Sequence, residues 1–231
     1  MCLIIAKPKN KKITKQKIES MMRDNPHGAG VAWIDKTKKL RVEKGFFDAH
    51  DFYKFLKNID ECDCLIHARY ATSGKIDKDT CHPFFVSQKI AVAHNGIFSN
   101  YNNSDLFSDT QIVLENILKP NSGRERNLDY QVFLKSFCGT SNKLCFLDAQ
   151  GFVIINKNLG QEIDGIWYSQ PQFFDTKNVF KYQKFWNDWV DKKDKTKKTG
   201  SKKYTWCSYC NQLTERDNNF CEHCFTPRFI D

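Results

Sequence analysis

Apolar and polar positions alternate along the first two thirds of the chain in short, clearly punctuated stretches. Residues 2–6 form an apolar run that stops at Lys7-Pro8 and predict a short buried strand. Residues 14–23 predict a helix capped by Thr14. The run from Gly28 to Ile34 and that from Leu40 to Phe46 predict two strands paired across the polar turn Asp35-Lys36-Thr37-Lys38. Asp48 caps a predicted helix that sets Phe52, Phe55, Leu56 and Ile59 on one face. Strands are predicted over Cys64–Tyr70 and Lys89–His94, and helices over Asp109–Leu118 and Tyr130–Phe137. Three short strands follow, Leu144–Leu147, Phe152–Ile155 and Gly165–Ser169. Hairpin-like strands mixed with two pairs of helices indicate an α+β domain.

The pattern breaks after residue 185. Residues 192–203 carry seven lysines, one aspartate and no apolar side chain, which reads as a linker or basic arm. The expected organisation is a domain over residues 2–185, a basic linker over 186–203 and a small unit over 204–231. In that last unit Cys207-x-x-Cys210 and Cys221-x-x-Cys224 are separated by ten residues. Two such pairs suit a tetrahedral four-thiolate site for a structural Zn2+. His223 is an alternative ligand, and two redox dithiols are the competing reading. A unit of this size needs such a staple to fold. A closed four-cysteine site does no chemistry and resembles a zinc ribbon.

Composition narrows the picture further. Apolar residues are 40% of the 231, enough for a real core, and the formal net charge is +9. That charge permits contact with nucleic acid or another polyanion without establishing it. No apolar run reaches the roughly 18 to 20 residues of a membrane span, and the start lacks the basic region of a signal peptide. A cytoplasmic protein with no membrane partner is expected, so the ten cysteines read as thiols, metal ligands or a nucleophile. Cys64, Cys81, Cys138 and Cys145 are expected to be buried thiols.

Cys2 is the most informative single residue. Removal of Met1 would leave a thiol and a free α-amine on one residue. An amine with a pKa near 8 can serve as the base for its own thiol. Alone, the same residue reads equally as an inert thiol. His67-Ala68-Arg69-Tyr70-Ala71-Thr72 puts Arg69 at the end of an apolar strand, either to grip a carboxylate with its guanidinium fork or to bond nearby carbonyls. His94-Asn95-Gly96 ends another strand. It reads as a hairpin turn, or as an amide and a backbone N–H that together form an oxyanion hole. Ser108-Asp109-Thr110 reads as a helix cap, or as a carboxylate for a substrate ammonium.

In order along the chain, Cys2, Asn25-Pro26-His27-Gly28-Ala29-Gly30, His67-Ala68-Arg69-Tyr70-Ala71-Thr72, His82-Pro83-Phe84, His94-Asn95-Gly96 and Ser108-Asp109-Thr110 resemble the class II glutamine amidotransferases, which are N-terminal nucleophile hydrolases. The likeness is nearest to the glutaminase domains of amidophosphoribosyltransferase and glucosamine-6-phosphate synthase and covers about residues 2–175. It implies a four-layer αββα sandwich and hydrolysis of L-glutamine to glutamate and ammonia through a γ-glutamyl thioester on Cys2. It also implies Asn95 and Gly96 as oxyanion donors, Arg69 on the glutamine carboxylate and Asp109 on its amino group. Tyr70 and Thr72 would line the pocket. His82 falls beside that pocket with its role open. Two departures stand out: the segment from Gly96 to Asp109 is short, and Gln111 replaces a common acidic residue and is expected to face solvent.

The 231 residues carry no recognisable phosphoribosyl-binding, sugar-isomerase or adenylating motif. The resemblance therefore implies ammonia delivery in trans to a partner enzyme, docked through the zinc ribbon and basic arm, with nucleic acid or a nucleotide as the preferred acceptor class. The alternatives are an N-terminal nucleophile amidase acting on another γ-glutamyl or amide compound, and a catalytically silent module that binds nucleic acid or protein.

Overall fold

The computed structural model describes residues 2–71, 75–101 and 107–170, together with the backbone of two strands at 204–206 and 213–215. The chain divides into two compact units, Met1–Thr176 and Lys177–Asp231. In the second unit, β11 (Tyr204–Trp206) pairs antiparallel with β12 (Leu213–Glu215). Cys207, Cys210, Cys221 and Cys224 lie outside the described residues, as do Thr72, the basic arm and the expected boundary at residue 185.

The first unit opens with β1 (Leu3–Lys7), α1 (Lys15–Asp24), β2 (Ala29–Ile34), β3 (Leu40–Phe46), α2 (Ala49–Asn58) and β4 (Cys64–Ala68). It continues with β5 (Phe84–Ser87), β6 (Ile90–Asn95), α3 (Asp109–Val113), α4 (Leu128–Cys138), β7 (Lys143–Asp148), β8 (Gly151–Ile155), β9 (Gln161–Ile163) and β10 (Ile166–Tyr168). One sheet has the order β3-β2-β4-β1-β10-β9 and the other β5-β6-β7-β8; every neighbouring pair is antiparallel.

Strand periodicity sorts the side chains into layers. Leu3, Ile5, Val31, Ile66 and Tyr168 point to one side of the six-stranded sheet and pack with Ile18 and Met21 of α1 and Phe52 of α2. Ile4, Ala6, Ala32, Leu65 and Trp167 point to the other side and meet Ala91, Ala93, Cys145 and Leu147 of the second sheet. The far face of that sheet offers Val92, Leu144 and Phe146 to Val113, Tyr130 and Leu134 of α3 and α4. The result is a helix–sheet–sheet–helix sandwich, the αββα order that the resemblance implies. The small residues between the sheets allow a close approach: a side chain at Gly30 would come within 2.3 Å of the His82 carbonyl oxygen.

The caps on α1 and α2 form where the sequence places them, on Thr14 and Asp48. The predicted strand over Cys64–Tyr70 stops at Ala68, leaving Arg69 and Tyr70 beyond the ladder. The predicted helix over Asp109–Leu118 is α-helical only to Val113, and Leu114–Leu118 widens to a π-helical turn. Phe84–Ser87 and Gln161–Ile163 are strands too short to show in the sequence pattern. Gln111 is not simply turned to solvent: its Oε1 accepts from the Ser108 N–H at 2.9 Å and its own N–H donates to Ser108 Oγ, closing a capping box. Among the described residues no helix is long and apolar enough to cross a membrane.

Ile66 is fully buried in the contact between the six-stranded sheet and the helices. Ile66→Ala is expected to destabilise the domain by about 2–5 kcal/mol, read as a lower denaturant midpoint with unchanged slope in an unfolding titration.

Candidate active site

β1 lies between β4 and β10, with Ile4 opposite His67 and Ile5 opposite Tyr168. Ser169 extends that grip, its N–H donating to the Ile4 carbonyl and its Oγ accepting from the Ile4 N–H, both at 2.9 Å. Cys2, two residues before Ile4, is thereby anchored at the end of a central strand at the mouth of the gap between the sheets. Its Sγ donates to the Tyr70 carbonyl at 3.4 Å and accepts from the Tyr70 N–H at 3.3 Å. Cys2 is half-buried. Burial pushes its thiol above the ordinary range, opposed by the Tyr70 backbone and by nearby positive charge.

Cys2, Arg69, Tyr70, Ala71, His82, His94, Gly96, Ser108, Asp109 and Thr110 line one cleft of about 20 Å³. Asn95 reaches the same cysteine from β6, its Nδ2 donating to the Cys2 carbonyl. Six of the seven residues expected for catalysis and substrate binding thus converge on a single place. Thr72, the seventh, lies outside the described residues. The cleft has room for about one water molecule.

Each wall of the cleft is held by buried polar contacts. Arg69 is 3% exposed, and its Nη1 donates to the Lys75 carbonyl at 2.6 Å and to Thr80 Oγ1 at 2.7 Å. The guanidinium thus bonds the protein's own oxygens, as one of the two alternatives drawn from the sequence has it, and also borders the cleft. Asp109, 6% exposed, accepts from the Phe98 N–H at 2.7 Å and the Thr110 N–H at 2.6 Å, which fixes its carboxylate at the start of α3. Gly96 has φ +143°, and a Cβ there would lie 2.0 Å from Asn142 Oδ1, so only glycine fits.

Three buried histidines interlock behind the cleft that Cys2 lines. Asn142 Nδ2 donates to the Cys138 carbonyl at 3.0 Å, which turns its Oδ1 toward His94 Nε2, 2.9 Å away. An amide oxygen only accepts, so in neutral His94 the proton sits on Nε2, and Nδ1 faces Thr110 Oγ1 at 2.8 Å. His67 Nε2 lies 3.1 Å from the His94 carbonyl and so carries the proton of that ring. His82 Nδ1 accepts from the His94 N–H at 3.3 Å, and its ring lies 4.2 Å from that of His67, tilted by 38°. Burial lowers the pKa of all three, that of His67 to about 3.

Sequence reasoning missed several supports of the site. His27 Nδ1 accepts from the Ala71 N–H at 2.8 Å, and the Gly28 carbonyl accepts from the Arg69 N–H at 2.8 Å. These contacts give the Asn25–Gly30 block a task, holding the chain around Arg69. Lys143 Nζ lies 3.2 Å from Asn95 Oδ1. Nothing local marks Lys143 or Asn142, since their roles arise from pairing with β6. Among the described residues no cluster of histidine, cysteine or acidic side chains could hold a metal ion.

The neutral histidines make an acid-labile core. Each binds a proton more readily in the unfolded chain than in the folded one. Stability from His67 is therefore complete above about pH 6.5 and is lost as pH falls toward 3. Between those limits, stability is expected to rise with pH by up to about 1.4 kcal/mol per unit for each such histidine, measured by urea unfolding at a series of pH values. His67→Gln is expected to flatten the slope.

No family model matches the chain. It is similar to the glutamine–fructose-6-phosphate aminotransferase (isomerizing) of Methanococcus maripaludis, 35% identical over 105 residues that make up 44% of this chain and 18% of that one. The enzyme of the same description from Buchnera aphidicola is 34% identical over 113 residues, 45% of this chain and 18% of that one. The chain thus matches less than a fifth of the length of these relatives. A glutamine phosphoribosylpyrophosphate amidotransferase structure from B. subtilis, complexed with ADP and GMP, superimposes with a TM-score of 0.49 at 20% identity, over 75% of this chain and 42% of that chain. In its sequence similarity to the aminotransferases and in its four-layer core opening at Cys2, the N-terminal unit is similar to the class II glutamine amidotransferase domains.

Proposed function

We propose that this domain hydrolyses L-glutamine to glutamate and ammonia through a γ-glutamyl thioester on Cys2. The observation that carries the proposal is the convergence of Cys2, Arg69, Asp109 and Gly96 on one cleft, with Asn95 bonded to the nucleophilic residue itself. Arg69 offers a buried guanidinium for the α-carboxylate, and Asp109 a fixed carboxylate for the α-ammonium. The two select a substrate with a free amino-acid end. With Met1 removed, the α-amine of Cys2 takes the thiol proton as Sγ attacks the side-chain amide carbon. The oxygen of the tetrahedral intermediate is held by the Asn95 amide and the Gly96 N–H. The electron pair then returns, the C–N bond breaks, and the leaving nitrogen takes the proton from the α-ammonium. Water resolves the thioester to glutamate.

The thiol stands above its ordinary range in the structure, so the reaction needs a local base, a need the α-amine meets. The ammonia would pass to an acceptor activated by a separate partner, as the similarity to part of a larger aminotransferase suggests. In this reading the second unit docks that partner, and a nucleotide or nucleic acid is the acceptor class the lysine-rich arm would suit. Cys207, Cys210, Cys221 and Cys224 would hold a structural Zn2+. The spacing supports this, as does the hairpin, whose connection between β11 and β12 contains the first cysteine pair.

A second reading, an amidase for larger γ-glutamyl amides, is favoured by a cavity of about 410 Å³ that also opens on Cys2 and leaves room for a bulkier leaving group.

Intact-mass spectrometry tests the chemistry. Incubation with a diazoketone analogue of glutamine is expected to give a chain lacking Met1 and carrying one adduct, with no adduct in Cys2→Ala. A processed Cys2 that stays unlabelled would remove the glutamine reading. Steady-state rates with glutamine and with bulkier γ-glutamyl amides then separate glutaminase from amidase. For the zinc site, metal analysis is expected to find one zinc per chain, lost in the double variant Cys207→Ser/Cys224→Ser without loss of Cys2 labelling.

A further inference from the structure

The register of β6 on β7 sets Asn95 directly opposite Lys143. Along both strands, alternate residues face the gap between the sheets: Ala91 and Ala93 from one, Cys145 and Leu147 from the other. Asn95 and Lys143 continue that alternation to the end beside Cys2. Lys143 is 8% exposed, and its Nζ donates to Asn95 Oδ1 at 3.2 Å and to the Ser141 carbonyl at 3.3 Å. Among the described residues no carboxylate lies within ion-pair distance of it. Burial lowers its pKa, the mark of an ammonium that has given up water for little compensating charge. Such a lysine is costly to fold around, and an apolar side chain would fill the position at less expense.

The chemistry of the amide shows what that cost achieves. A primary amide can face either way with almost the same shape, one end donating and the other accepting. An ammonium only donates, so the end of Asn95 that meets Lys143 must be its oxygen. The NH2 end is then committed to the Cys2 side, where it already donates to the Cys2 carbonyl. Turned over, the same side chain would present lone pairs to the place where negative charge develops.

We propose that Lys143 is a positioning residue for acyl transfer: by holding the Asn95 amide oxygen, it aims and polarises the amide NH2 that receives the oxyanion. The proposal rests on the thioester chemistry proposed above and adds no covalent step. Lys143 forms and breaks no bond. As Sγ adds to the carbonyl carbon and the π pair moves to oxygen, the Asn95 N–H bond to that oxygen strengthens, and the ammonium one amide away favours the same shift of charge. Asn95 and Lys143 are both buried, so the interaction between them is less screened than at the open surface. The effect grows with charge on the oxygen, so it belongs to the transition state more than to bound substrate.

The test uses the full-length processed protein with Lys143→Met and Lys143→Arg. Lys143→Met is expected to lower kcat for glutamine hydrolysis by about 10- to 100-fold with KM little changed. Alkylation of Cys2 by iodoacetamide, a displacement that forms no oxyanion, should keep its wild-type rate. Lys143→Arg, which again offers only donors to Asn95 Oδ1, should recover part of kcat. A wild-type kcat in Lys143→Met would overturn the proposal, as would an equal loss of alkylation, which would make Lys143 merely structural. If the wild-type protein itself neither hydrolyses glutamine nor takes the diazoketone, the glutaminase reading fails first and Lys143 loses its proposed role with it.

Discussion

The structure depends on the pairing of β1 between β4 and β10. Five residues of β1 are matched one for one with β4, from Leu3 opposite Ala68 to Lys7 opposite Cys64, and every one of them is buried. A chain terminus ordinarily frays. Here it is locked by ladders on both sides and by both contacts of Ser169 with Ile4. That constraint converts a flexible beginning into a fixed position for Cys2. It also places the thiol where the two sheets part, because residue parity along β1 sends Ile4 and Ala6 into the gap. The placement of Cys2 and the packing of the core are consequences of the same hydrogen-bond ladder.

Around that fixed point the domain assembles a polar end in an otherwise apolar gap. Small side chains at Ala32, Ala91, Ala93 and Cys145 let the sheets approach, and toward the site the apolar residues give way to His67, His82, Asn95 and Lys143. Burying such groups is tolerable because most of their polar atoms find partners. The links run from His94 to Asn142 and to Thr110, from His67 and His82 to the backbone of His94, and from Lys143 to Asn95. His67 Nδ1 is buried without a partner among the described residues. That cost falls beside the site, where a fixed arrangement serves the chemistry. Rigid donors aimed at a developing charge need no reorganisation during reaction.

The amino-acid sequence determined a good deal alone. Hairpin, caps and most strands are local events, set by alternation, by Thr14 and Asp48 at helix starts and by the polar turn at Asp35–Lys38, whose Asp35 Oδ1 accepts from the Thr37 and Lys39 N–H groups. The candidate site was legible as well, since Arg69, Asn95 and Gly96 stand at the end of apolar segments and Cys2 and Asp109 at the start of them. The two readings of Arg69 were legible too; the structure shows the side chain bonding neighbouring oxygens and bordering the cleft.

Only the tertiary structure decided the rest. The end of β4 at Ala68 depends on its pairing with β1 and β2, remote in sequence, so no local pattern announces it. Ser108 was legible as a helix cap, but the bond that Gln111 returns to the Ser108 N–H depends on how its side chain turns. Lys143 lies just before the predicted strand Leu144–Leu147, where nothing local singles it out. Its contact with Asn95 joins positions 48 residues apart and exists because antiparallel register pairs them at the end where the sheets open. Local chemistry is written in adjacent residues, whereas the direction a side chain faces, and what it meets there, is set by register and layer packing.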